Sequence, residues 1–76
     1  MNIGSELKKV REELGLSQEK MAGNVLTKSY YSKIERGEYE IKACDLKEIL
    51  SLHGIKTSDF FESLESKESW LNMNII

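Results

Sequence analysis

Two stretches decide how this chain folds: Gly15-Leu16-Ser17-Gln18-Glu19-Lys20-Met21-Ala22 and Ser29-Tyr30-Tyr31-Ser32-Lys33-Ile34-Glu35-Arg36-Gly37. In the first, Gly15 suits the end of a preceding helix, because glycine takes the left-handed turn that stops one at little steric cost. Ser17 reads as an N-cap whose hydroxyl accepts a free backbone N–H of the next helix, and Glu19 in the first turn is favoured by the helix dipole. Met21, Ala22 and Val25 give that short helix its buried side. Residues 23–26 end it and turn the chain. Thr27 is a candidate N-cap for another helix over about residues 28–36, in which Tyr31 and Ile34, three apart, face inward. Lys28, Ser29, Tyr30, Ser32 and Lys33 are left to its other faces, and Gly37 closes it.

Upstream, Ile3, Leu7, Val10 and Leu14 repeat at helical spacing and predict one apolar stripe, with Glu6, Lys8, Lys9, Glu12 and Glu13 largely off it. Downstream, Glu38 to Lys42 reads as a polar connection. Leu46, Ile49, Leu50 and His53 form a further stripe ended by Gly54. Thr57-Ser58-Asp59 is expected to cap a last helix carrying Phe60, Phe61 and Leu64. No run alternates with period two long enough to suggest a strand. The expectation is an all-α, compact five-helix domain over residues 1–65. Residues 66–76 follow as an apolar tail with Trp70, Leu71, Met73, Ile75 and Ile76. So many large apolar residues are expected to pack back on the core, make a dimer contact, or begin a linker or dimerisation helix.

At 76 residues the chain is one domain, and with no proline and many Glu, Lys and Leu it suits locally packed helices. The formal net charge of −2 argues against a protein that coats nucleic acid non-specifically. The charge is unevenly spread. Residues 1–36 hold seven Lys/Arg against five Glu, and residues 37–76 hold four Lys/Arg against eight Asp/Glu, so a nucleic-acid surface belongs in the first half. Cys44 and His53 each stand alone in the sequence. A lone cysteine cannot form an internal disulfide or a multi-cysteine metal site. Cys44 is expected as a small, partly buried side chain and His53 as a helix residue at the core edge; the two lack a third group to orient them as a catalytic pair. No apolar run spans a bilayer and no secretory leader is evident, which fits a cytoplasmic protein. No enzyme activity, cofactor or metal is expected.

Two helices joined by a tight turn make a helix-turn-helix, which generic spacing alone supports only weakly. The local residues are more specific. Gly15-Leu16-Ser17-Gln18 and Ser32-Lys33-Ile34-Glu35-Arg36-Gly37 resemble the opening and closing signatures of the XRE (Cro/repressor-type) family, over about residues 4–64. Between Ala22 and Ser32 the chain is one residue shorter than the commonest spacing. That form is similar to the DNA-binding domain of Rgg/MutR-type transcriptional regulators, which carry a peptide-sensing domain that this chain does not encode. The resemblance implies a lambda-repressor-like fold and double-stranded DNA as partner. It places Lys28, Ser29 and Lys33 at base edges in the major groove and Ser17, Gln18, Tyr30 and Arg36 at the DNA backbone. It makes Arg11 and Glu35 a structural salt bridge between the first and third helices. The family reading implies a sequence-specific transcriptional regulator acting as a homodimer. Two rivals are a protein-interaction module with a degenerate helix-turn-helix, suggested by the acidic second half, and an antitoxin-type DNA-binding protein using its apolar end.

Overall fold

The computed structural model describes residues 2–65. Among these residues five helices follow one another: α1 (Ile3–Glu13), α2 (Gln18–Ala22), α3 (Lys28–Glu35), α4 (Ala43–Leu52) and α5 over residues 57–65. There is no strand among the described residues. The apolar tail lies outside them.

Side-chain caps start the first three helices. Asn2 Oδ1 accepts the Ser5 N–H at 3.0 Å, Ser17 Oγ accepts that of Lys20 at 3.1 Å, and Thr27 Oγ1 accepts that of Tyr30 at 3.1 Å. Each satisfies a donor with no partner inside its helix. The same stop ends α1, α3 and α4. After α3, the Gly37 N–H bonds to the Ile34 carbonyl at 3.0 Å and the Glu38 N–H reaches back to Lys33 at 2.9 Å. This pair of bonds needs the residue after the cap in the left-handed region, and Gly37 has φ +79°. Residues 14–16 and 53–55 repeat the arrangement.

The core is built by Leu7 of α1, Met21 and Ala22 of α2, Tyr31 and Ile34 of α3, Leu46, Ile49 and Leu50 of α4, and Phe60 of α5. Phe60 and Phe61 meet edge to face, with centroids 5.4 Å apart. α3 packs against both α1 and α2. At one point the α1–α3 approach is backbone to backbone. Gly4 lies so close to the Ile34 carbonyl that a methyl group there would overlap its oxygen.

Four local expectations are corrected. Leu14 is 48% exposed, whereas Glu6, expected off the stripe, is 3% exposed. α1 ends at Glu13, which leaves Leu14 as a cap beyond the packed surface, and α5 covers the Glu6 side. There the Ser63 hydroxyl donates to Glu6 Oε2 at 2.9 Å, giving the buried carboxylate a polar contact. Cys44 is exposed rather than partly buried, because it stands on the side of α4 opposite Leu46, Ile49 and Leu50. α5 begins at residue 57, and the Phe60 N–H bonds to the Lys56 carbonyl at 3.1 Å, so Thr57 to Asp59 form the first turn rather than the cap. His53 is half-buried at the end of α4, where Nε2 donates to the Met21 carbonyl at 3.0 Å and ties α4 to α2.

Candidate nucleic-acid interface

The buried side of α3 fixes what its outer side presents. Tyr31, Ile34 and Glu35 are buried. At 100° per residue, Lys28, Ser29, Ser32, Lys33 and Arg36 then share less than half of the circumference on the other side. Lys28 and Ser29 are exposed in the first turn, Ser32 and Lys33 are half-buried, and Arg36 is exposed at the C-cap. The sequence reading had not assigned Ser32 to this face as a site residue. The helical wheel alone would have found it.

Behind this face, α3 is locked by a polar cluster. Arg11 Nε donates to Glu35 Oε2 at 2.7 Å and Arg11 Nη2 to Glu35 Oε1 at 3.1 Å, a bidentate charge-assisted pair. The remaining arm, Nη1, donates to the Leu16 carbonyl at 3.0 Å. Gln18 Nε2 donates to Glu35 Oε1 at 3.1 Å. The Glu35 carboxylate thus joins α1, α2 and α3, and Arg11 extends the cluster to the α1–α2 connection. The side chains are 15% and 2% exposed, so the pair is well shielded from solvent.

Electrostatics follow from that burial. Desolvation pushes the Glu35 carboxyl up, but the Arg11 and Gln18 donors, with the Tyr31 hydroxyl close by, outweigh it and hold the group below the usual carboxylate range. The bond to Glu35 raises the Arg11 guanidinium in turn. Burial first, and the Glu35 charge second, push the Tyr31 phenol far above its ordinary value, so it stays neutral. Its hydroxyl lies close enough to the pair to feel both charges. Even so, it makes no hydrogen bond of ordinary geometry with a described residue.

On the outer face, Arg36 and Lys33 have intramolecular contacts. Arg36 Nε donates to Glu38 Oε2 at 2.6 Å, and Arg36 Nη1 donates to the Ser32 hydroxyl at 3.1 Å. The Lys33 ammonium lies 5.3 Å from the centroid of the Tyr39 ring, and that ring lies 5.2 Å from Tyr30. Tyr30 itself is half-buried and packs against the core. Tyr39 went unread in the sequence because residues 38–42 look merely polar; an exposed aromatic just beyond a basic helix was the available signal. Ser17 and Gln18 lie at the start of α2, with the Ser17 hydroxyl engaged as a cap and one Gln18 N–H engaged by Glu35.

No group of three or more His, Cys, Asp or Glu among the described residues is placed to hold a metal ion. No helix among them is long and apolar enough to cross a membrane.

Residues 4–63 match the family described as helix-turn-helix domain. The chain is also 36% identical over 69 residues to Control protein C.MunI of Mycoplasma sp, a span of 88% of this chain and 93% of that protein. No solved structure matches it. The capped α2–turn–α3 unit, the outward basic face of α3 and the match along nearly the whole described chain agree: this protein belongs to the XRE-type helix-turn-helix family of DNA-binding transcriptional regulators.

Proposed function

We propose that the chain reads a specific DNA sequence by laying α3 in the major groove. The observation that carries this is the single outward face of α3, on which Lys28, Ser29, Ser32, Lys33 and Arg36 gather while Tyr31, Ile34 and Glu35 anchor the opposite side. Lys28 and Lys33 donate to guanine O6 and N7, and the Ser29 hydroxyl suits any of several bases. Arg36, Tyr30, Ser17 and Gln18 contact the sugar–phosphate backbone; a Gln amide has a second N–H beyond the one that Glu35 takes. The protein acts by binding, not catalysis, in the cytoplasm, and as a homodimer on a two-fold operator. C.MunI is named a control protein, and this one small domain covers 93% of its length.

The Arg36–Glu38 ion pair gives the interaction-module reading its one specific support, since it cancels a cation that phosphate would need. Binding-site selection decides between the two. Wild type is expected to enrich one motif, and Lys33→Ala is expected to cost about 1–3 kcal/mol on it and to relax preference at one base pair. A wild-type protein that enriches no motif, or a Lys33→Ala variant with unchanged motif and affinity, would mean that α3 does not read bases in this way.

A further inference from the structure

Tyr39 lies two residues past Gly37, whose positive φ turns the chain back along the C-terminal half of α3. Ile41 packs against the core and anchors this connection beside a cleft of about 430 Å³ between the start of α1 and the end of α3. The Tyr39 side chain is consequently held although it is 47% exposed. One side of it meets Tyr30, tilted by 32°, and Tyr30 is itself seated on the core. The Lys33 ammonium also lies over the Tyr39 ring. Core, Tyr30, Tyr39 and Lys33 form one continuous stack.

The two cations at this end of α3 are held by different means. Arg36 is held by a carboxylate, which cancels its charge. Lys33 is held by a ring face, whose quadrupole attracts an ammonium within ~6 Å but carries no net charge. An unrestrained lysine loses its rotamer freedom on binding; one already ordered against a ring loses less. We propose that Tyr39 is a positioning residue for sequence reading. Its ring holds the Lys33 ammonium on the outer face of α3 without neutralising it, so that Lys33 meets DNA already aimed. This inference rests on the assignment of Lys33 to base contact.

The test uses the full chain in four variants, Tyr39→Phe, Tyr39→Leu, Lys33→Ala and the Lys33→Ala/Tyr39→Leu double, each taken through binding-site selection and DNA titration. Tyr39→Phe keeps the ring and is expected to keep the motif and affinity. Tyr39→Leu is expected to weaken cognate binding about two- to fivefold. It should relax preference at the same base pair as Lys33→Ala, and should have no further effect in the Lys33→Ala background. In the free wild-type protein, the Lys33 protons next to the ammonium are expected upfield of ordinary lysine values in the NMR spectrum. That measurement stands even if the leucine variant loses its fold. Any of the following results would overturn the proposal: equal losses for Tyr39→Phe and Tyr39→Leu, which would point to the hydroxyl; a Tyr39→Leu effect that persists without Lys33; or ordinary Lys33 shifts in wild type. If Lys33→Ala relaxes the motif and Tyr39→Leu does not, positioning alone fails. If Lys33→Ala leaves the motif unchanged, base reading by Lys33 fails and positioning fails with it.

Discussion

Glu35 accepts from Arg11 Nε and Nη2 and from Gln18 Nε2, so the orientation of α3 depends on one carboxylate. Arg11→Ala or Glu35→Ala leaves a shielded charge without its partner, which should cost about 3 kcal/mol and appear as a lowered urea midpoint. The double variant should lose less than the sum of the singles; strict additivity would show the two groups uncoupled. Acid should have a related effect. Glu35 titrates below its unfolded value, so its contribution is complete above the ordinary carboxylate range. It declines as pH falls below that range and is lost once pH drops through the folded value. Glu35→Gln should flatten that acid limb, as followed by midpoint against pH. On the outer face, Glu38→Gln should release Arg36 and strengthen DNA binding by a few-fold across all sequences, since an exposed ion pair is worth ~1 kcal/mol or less. Unchanged affinity in that variant would mean that the ion pair does not compete with DNA.

At the scale of elements, caps and stops were readable because they depend on neighbours in sequence. Ser17, Thr27, Gly15, Gly37 and Gly54 occupy the positions their chemistry favours. Faces were less readable. The apolar spacing gives the axis of α1 but not which neighbouring helix covers each side, so Glu6 went inside under α5 and Leu14 stayed out. The start of α5 was misread because Thr, Ser and Asp suit a first helical turn as well as a cap position. Gly4 was silent in sequence, since only the crossing of α1 over the end of α3 gives it a task. A Gly4→Ala substitution should therefore destabilise by about 1–3 kcal/mol despite alanine's better helix propensity, because the added methyl meets a backbone carbonyl that cannot swing aside. Thermal unfolding checks this, and a raised Tm would show that the two helices can move apart.

For the whole molecule, the charge balance matters more than any one contact. A net charge of −2, with Arg36 paired to Glu38, leaves few cations to displace counterions from DNA. One domain alone should therefore bind weakly, and two should bind a two-fold site far better, with half-sites about one helical turn apart. Titrations at several protein concentrations, with sedimentation of the free protein, test this. Tight binding of one copy to one half-site in physiological salt would contradict it.

The sequence by itself determined where α2 and α3 start, where α1, α3 and α4 stop, the α2–turn–α3 unit and the residues available on α3, because capping, left-handed stops and helical spacing act over a few residues. It also held, through family resemblance, the Arg11 and Glu35 partnership across 24 positions. Tertiary structure alone decided three things. Gln18 joins the Glu35 cluster, the Glu6 carboxylate is buried beneath α5, and Tyr39 folds back to sit under the Lys33 ammonium. Each of these pairs residues whose meeting depends on how helices cross or where a connection returns, and those are set by the packing of the core as a whole rather than by any local pattern.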